Sequence, residues 1–330
     1  MKIIPAEQIQ QVLDFPSLIT ALKHSFANAP DLPKRNLYPL DKSSKDAFAV
    51  LPAWDNSAIA VKAFSYFPEN PSRNAELKSL YSQILLFSRE TGEPLALLDG
   101  TSITYWRTAA VSALAAASLA REDASHLLLF GTGNLASYMA LAHAAVRPIT
   151  EIAIRGRSRD KAARVMELIG AKRPDIRLSF CEEIERDVAN ADIISCATGS
   201  PVPLFDGNWV TPGTHVDLVG NHHQDARECD TELVLRSRVF VDNRSNVFAE
   251  AGELLLPKAE GVFHLEQVSA ELAELCRAEH SGRQNREEIT LFKSVGSAWE
   301  IYRLPIWCIA PCIRAVTIEP ARSRSLDSAK

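Results

Sequence analysis

The stretch His126-Leu127-Leu128-Leu129-Phe130-Gly131-Thr132-Gly133-Asn134-Leu135-Ala136 decides the fold. Its apolar run, Leu127 to Phe130, reads as a buried strand. The run passes directly into Gly131-x-Gly133-x-x-Ala136, and an Ala-rich helical stretch, Ser137 to Val146, follows. Strand, tight glycine turn and helix in that order make a dinucleotide-binding unit. Gly131 permits the sharp turn and Gly133 lets the backbone approach a pyrophosphate. Ala136, in place of a third glycine, still lets helix and strand pack closely. The helix start at Thr132, Asn134 and Leu135 offers N–H groups and a positive dipole end to phosphates. The bland alternative is a glycine-rich turn that binds nothing.

Downstream, the second strand, Glu151 to Ile154, ends in Arg155-Gly156-Arg157-Ser158-Arg159. An NAD site usually has an acidic residue about 20 positions after the glycine motif, to hold the ribose hydroxyls. None stands at this tip. Arg155, Arg157 and Ser158 suit a 2′-phosphate instead, because guanidinium pairs with phosphate in a fork. The strand Asp192 to Cys196 ends in Ala197-Thr198-Gly199-Ser200-Pro201, and Thr214 to Val219 ends in Gly220-Asn221-His222-His223. Such strand ends are where open α/β sheets bind ligands. Val239 to Val241 reads as the last strand, with helices over Val247 to Leu256 and Leu265 to Cys276.

Upstream, residues 6–29 read as an amphipathic helix pair broken near Pro16. Arg35 lies in a polar, Pro-rich loop. Ala47 to Phe67 reads as strands broken at Asp55-Asn56, and Ser82 to Ser88 with Pro94 to Leu98 as a hairpin around Thr91-Gly92. Lys62 interrupts the apolar run Ala58 to Phe64, which is costly unless the ammonium snorkels or meets an anion. The Ala-rich helix that runs through Ala120 is expected to begin near Arg107-Thr108-Ala109-Ala110. A cation at a helix N-terminus gains nothing from the dipole, so Arg107 points to a bound anion.

The 330 residues are 46% hydrophobic and 23% charged, with a formal net charge of −5. That is an ordinary globular composition long enough for two domains. It argues against nucleic acid as the partner, since no basic stripe dominates. The N-terminus lacks the apolar core of a signal peptide, and no run of about 18 apolar residues suggests a membrane span. Cys181, Cys196, Cys229, Cys276, Cys308 and Cys312 form no C-x-x-C pair. They read as reduced thiols of a cytoplasmic protein, without a metal site.

Several stretches together resemble the ornithine cyclodeaminase/μ-crystallin family. They are Lys62 with Pro68-x-Asn70-Pro71, Thr91-Gly92-Glu93-Pro94-Leu95-Ala96-Leu97-Leu98-Asp99-Gly100, Arg107-Thr108-Ala109-Ala110, Gly131-Thr132-Gly133 and Phe292-Lys293-Ser294-Val295-Gly296. The resemblance covers residues 1–300. It implies an α/β homodimer. Each subunit has a Rossmann NAD(P)-binding domain (122–290) and an α+β substrate-binding and dimerisation domain (1–121 with 291–300). It implies that Arg35, Lys62 and Arg107 surround the carboxylate of a small imino or amino acid. Thr108, Ala197, Thr198, Val219, Gly220, Lys293 and Ser294 join the glycine turn and the Arg155–Ser158 loop around the cofactor. That cofactor is NADP(H), with NAD(H) as the alternative.

Two departures choose among the family's activities. His222 stands where cyclodeaminases carry an aspartate, and Ala49 lies near the position of their glutamate before Leu51-Pro52. Ring closure of an open-chain diamine needs those proton acceptors. Reducing a preformed cyclic imine needs a carboxylate clamp, a proton and a hydride. The expectation is therefore NADPH-dependent reduction of Δ1-pyrroline-2-carboxylate, and of its six-membered homologue, to L-proline and L-pipecolate. Lys62 is the favoured proton donor and His222 the second. Ornithine cyclodeaminase, amino-acid dehydrogenase and a non-catalytic NADPH-binding protein are the alternatives. A third departure is the tail, 301–330. It breaks the family pattern after Trp299-Glu300, as a reading-frame shift does, and reads as poorly structured.

Overall fold

The computed structural model describes residues 1–28, 36–41, 44–54, 58–74 and 76–296. Arg35 and the tail 301–330 lie outside the described residues.

The N-terminal part forms β1 (Lys2–Ile4), α1 (Ala6–Val12), α2 (Phe15–Ala27), β2 (Asn36–Pro39), β3 (Ala47–Trp54), β4 (Ala58–Tyr66), α3 (Asn70–Arg73), β5 (Leu80–Ser88), β6 (Pro94–Asp99) and α4 (Gly100–Leu119). Asp14 caps α2 through the Ser17 N–H at 2.9 Å. Pro16 sits in that first turn, where its missing N–H costs nothing. The six strands form one sheet in the order β1-β6-β5-β4-β3-β2. One face packs on the helices. The other aligns Pro52, Val61, Leu85, Leu97 and Ile3 across five strands, flanked by exposed Phe48, Trp54 and Tyr81. The sheet is antiparallel except for the parallel pair β1–β6, and an apolar row on its outer face calls for a cover.

Helix α4 joins the two halves. It starts at Gly100, capped by the Asp99 carboxylate, which accepts the Ser102 N–H at 2.6 Å. This corrects the expected start: Arg107 lies two turns inside the helix, so its charge is not set against the N-terminal dipole. Ala109, Ala110, Ala113, Ala115 and Ala116 are 0% exposed. Their small side chains let α4 pack against α2, β5 and the second domain at once. The carbonyls that end α4 are all taken. Arg147 donates to Ala117, Ala120 and Arg121 at 2.7–2.9 Å. Arg283 and the Thr290 hydroxyl donate to Leu119 at 2.7 and 3.0 Å, and the Arg283 N–H to Ser118 at 3.0 Å.

The second domain runs β7 (His126–Phe130), α5 (Ala136–Val146), β8 (Glu151–Arg155), α6 (Arg159–Gly170), β9 (Arg177–Phe180), α7 (Ile184–Asn190), β10 (Ile193–Cys196), β11 (His215–Leu218), α8 (Thr231–Arg236), β12 (Ser237–Val241), α9 (Arg244–Glu250), α10 (Gly252–Ala259), β13 (Ala270–Glu271), α11 (Leu272–Cys276) and β14 (Ile289–Lys293). Its sheet has the order β13-β12-β14-β11-β10-β7-β8-β9, parallel throughout. Strand order reverses between β7 and β10, which opens a crevice at their C-terminal ends. β12 is not the last strand. β14 returns to fill the place between β12 and β11, so the expected domain boundary at 291 falls inside a strand of this sheet. The helix expected over Leu265 to Cys276 is a 3-10 turn, then β13, then α11. Among the described residues no helix is long and apolar enough to cross a membrane.

Replacing Arg147 by Met leaves the three carbonyls at the end of α4 without their donor. The expected loss is ~2–3 kcal/mol of unfolding free energy, read from denaturant titration. A loss near zero shows that other groups satisfy this helix end.

Candidate active site

The crevice begins at the glycine turn. Gly131 has φ +122°, and a Cβ there would meet the Ala197 carbonyl oxygen at 2.6 Å. Only glycine suits both demands. A Cβ on Gly133 would meet nothing within 4 Å, so the space over the turn is open. Helix α5 starts at Ala136 without a side-chain cap; the Ala136 N–H donates to the Gly133 carbonyl at 3.0 Å, and the positive end of the helix dipole faces the turn, where it favours an anion. Asn134 Nδ2 donates to the Tyr105 hydroxyl at 3.2 Å, tying the turn to α4. These features fit a dinucleotide pyrophosphate. A cleft of about 1140 Å³ leads from Thr132, Gly133 and Asn134 along α5 and α6, past Trp106 and Tyr138. Lys62 and Arg107 do not line it.

The three arginines after β8 do not converge. Arg155 Nη1 donates to the Cys181 carbonyl at 3.0 Å, and its guanidinium lies over Phe180. Arg159 pairs with Glu182 and stacks on the same ring. The Ser158 hydroxyl accepts the Lys161 N–H as the cap of α6. Arg157 is exposed. Gly156 packs so tightly that a Cβ there would meet Thr132 Cγ2 at 2.4 Å.

Two more turns close the other half of the crevice, Ala197-Thr198 after β10 and Val219-Gly220 after β11. Beneath them lies a buried charge cluster, of which the sequence reading singled out Lys293 alone. Glu228, Glu253 and Lys293 are each 0% exposed. Glu228 Oε1 accepts the Thr198 N–H at 2.7 Å and the Thr198 hydroxyl at 2.8 Å, while Oε2 accepts the Gly220 N–H at 2.8 Å. Lys293 Nζ donates to the Asn221 carbonyl at 2.6 Å and pairs with Glu253 at 3.1 Å. Burial, helped by the neighbouring Glu253, pushes the Glu228 carboxyl up to about 7 against the pull of Lys293. The one sequence signal was an acid beside apolar residues, Glu228-Cys229 and Glu253-Leu254, and a run of charges around Glu228 hides it.

The expected substrate residues Lys62 and Arg107 lie on the inner face of β4 and on α4. Lys62 is 2% exposed and donates to Thr104 Oγ1 at 2.8 Å. Thr104 in turn donates to the Gly100 carbonyl at 2.6 Å, which fixes its lone pairs toward the ammonium. Lys62 also lies over the Phe64 ring, 5.1 Å from its centroid. Arg107 stands on the same face of α4 as Thr104, three residues on. Its guanidinium rests against Gly296, where a Cβ would meet Nη1 at 2.7 Å. Gly296 has φ +84°, and its N–H, the Val295 N–H and the Ser294 hydroxyl all donate to Asp242 Oδ2 at 2.7–3.0 Å. Lys293 and Ser294, expected at the cofactor, therefore turn their polar groups to the protein and hold the turns that frame it. Thr108 follows Arg107 on α4, half-buried.

His222 and His223 reach back across the crevice to Tyr66, with ring centroids 6.1 and 6.4 Å away. Burial raises the Tyr66 phenol, and Glu69 adds to it; burial lowers His223, and Lys45 adds to that. Tyr66 escaped the sequence reading, although it continues the alternation Lys62, Phe64, Tyr66. Ala49 is 0% exposed and pairs with Phe64 across the strands, so no carboxylate enters from that position.

The chain matches the profile of the ornithine cyclodeaminase/mu-crystallin family over residues 5–301. It is 50% identical to a Delta(1)-pyrroline-2-carboxylate reductase of Colwellia psychrerythraea over 301 residues, 90% of this chain and 95% of that one. A reductase of the same name from Paracoccus denitrificans is 36% identical, covering 74% of this chain and 77% of its own. Among solved structures, the Delta(1)-pyrroline-2-carboxylate reductase of Thermococcus litoralis, in complex with NADH and L-proline, superposes with a TM-score of 0.90. It is 31% identical and covers 96% of this chain and 98% of its own. With this crevice, these cations and these relatives, the chain belongs to the ornithine cyclodeaminase/mu-crystallin family.

Proposed function

We propose that this protein is a ketimine reductase that converts Δ1-pyrroline-2-carboxylate to L-proline with a nicotinamide dinucleotide. The observation that carries the reading is the pair of cations, buried Lys62 and Arg107, beside a dinucleotide crevice in a chain half identical to such a reductase. When bound, the nicotinamide supplies the hydride. Lys62 and Arg107, with Arg35, hold the substrate carboxylate, and a low-dielectric setting strengthens that attraction. Lys62, oriented by Thr104, is the proton donor to the ring nitrogen, with His222 second. Hydride at C2 and a proton at nitrogen turn C=N into CH–NH. The buried Ala49 and the imidazole at 222 stand where a cyclodeaminase needs carboxylates to activate a second amine, which favours imine reduction over cyclodeamination.

NADPH is the proposed preferred cofactor, and the six-membered homologue a second substrate yielding L-pipecolate. Exposed Arg157, and the lack of a carboxylate at the tip of β8, support the first. The apolar outer face of the six-stranded sheet supports a homodimer. The free thiols Cys181, Cys196, Cys229 and Cys276 support a cytoplasmic setting.

Loss of NADPH absorbance on adding Δ1-pyrroline-2-carboxylate is the deciding assay. Turnover is expected there, and no ammonia from L-ornithine; ammonia release without imine reduction sinks the proposal in favour of a cyclodeaminase. NADPH binding without any turnover makes this a binding protein.

Arg107→Met is expected to lower kcat/KM for the imine by roughly 100-fold, the worth of a lost charge-assisted carboxylate contact, with cofactor KM unchanged. Arg157→Ala is expected to raise the KM for NADPH by roughly tenfold and leave that for NADH alone. Equal effects on both cofactors remove Arg157 from the 2′-phosphate site.

A further inference from the structure

We propose that Glu228 is a positioning residue for the nicotinamide half of the cofactor site, clamping the turns after β10 and β11 at the separation the nucleotide requires. The inference rests on the proposed dinucleotide site. In a doubly wound sheet the first half, here β7 to β9, takes one mononucleotide, and the strands across the switch point take the other. Those strands are β10 and β11; the Val219 N–H donates to the Cys196 carbonyl at 3.0 Å and Asn221 Nδ2 to the Ser200 carbonyl at 3.4 Å, and between these two bonds Thr198 and Gly220 are joined through a side chain. One carboxylate does it for both. It takes two donors from Thr198 on one oxygen and the Gly220 N–H on the other, at 2.7–2.8 Å. The turns are as close as backbone permits: a Cβ on Gly220 would lie 2.0 Å from the Thr198 carbonyl oxygen.

The clamp is itself held. The Glu228 N–H donates to Glu253 Oε1 at 3.2 Å, and the other oxygen of Glu253 has no hydrogen-bond partner. The charged and titratable groups around Glu228 are Lys293 from β14, Glu253 from α10, Cys196 from β10 and Cys229 beside it. Burial keeps both thiols neutral. Two carboxyls thus share one ammonium, and a proton enters the cluster near neutral pH. A protonated Glu228 presents an O–H toward donors and loses part of its grip. His223, on the turn after Gly220, is a further titratable group near the site, its imidazole lowered by burial, so variants have to isolate Glu228.

The test is NADH binding by fluorescence titration across pH, with the circular dichroism melt as the check on folding. NADH is the probe because it lacks the 2′-phosphate, whose own proton equilibrium would overlay the result. In wild type, Kd is expected to weaken as pH falls through about 7. Glu228→Gln sets an amide N–H against one of the two turns. It is expected to weaken NADH binding roughly tenfold in mildly alkaline solution and to abolish the pH leg, with the melt retained. Glu253→Gln keeps the Thr198 and Gly220 donors on Glu228 and removes a charge that raises Glu228, so the leg is expected to move to lower pH. If Glu228→Gln fails to fold, the Glu253→Gln shift decides alone. Wild-type affinity and an unaltered leg in Glu228→Gln, or an unmoved leg in Glu253→Gln, overturn the proposal while leaving the dinucleotide site standing. No NADH binding in wild type at any pH overturns both.

Discussion

Helix α4 has almost no solvent face over its alanine-rich half, so each of its polar ends has to be met by the protein. Its last carbonyls lie under the second domain, and the groups that reach them are Arg147, Arg283 and Thr290 from that domain. A buried helix end without such donors would cost several kcal/mol in unmade hydrogen bonds. The two domains are therefore locked at one end of α4, while its other end presents Thr104 and Arg107 to the crevice. The helix sets the distance between the glycine turn and the cations proposed to hold the substrate, since Tyr105, bonded to Asn134, sits between Thr104 and Arg107.

The crevice is an electrostatic arrangement before it is a chemical one. Lys62 is inside the protein yet remains tethered to a hydroxyl and an aromatic face, which lowers the cost of burying it while leaving a positive centre near the substrate position. Arg107 is braced by backbone: Gly296 presses on the guanidinium, and Asp242 gathers the three donors that shape the turn carrying Gly296. The orientation of one substrate-domain cation thus depends on a carboxylate at the end of β12.

Much of this was legible from residues alone, for physical reasons that differ by element. The glycine turn after β7 announced itself because strand, turn and helix each leave a local pattern. Lys62 was conspicuous because a lone charge in an apolar strand demands a partner. Arg107 was singled out for a wrong reason: Thr101, Ser102, Ile103 and Thr104 are weak helix formers, and they hid the first turns of α4, which Asp99 and burial hold in place. The return of β14 to the middle of the sheet is a long-range pairing that no local window contains. Glu228 stood in an acidic, polar run, Asp225-Ala226-Arg227-Glu228-Cys229-Asp230, that reads as a solvated loop; only the fold shows that its side chain turns inward. Arg155 posed the reverse problem, a basic residue in a basic loop whose guanidinium is used by Cys181 and Phe180.

The packing of Gly156 on Thr132 bears on how such a protein changes its cofactor over time. With Thr132 in the glycine turn, a side chain at position 156 has to displace the Thr132 side chain. On the proposed function, drift between the two dinucleotides runs through residues 155 and 157, on either side of a constrained position. Of these, 155 already serves the sheet edge, which leaves the exposed 157, the residue proposed to meet the 2′-phosphate, as the one that can change at least structural expense.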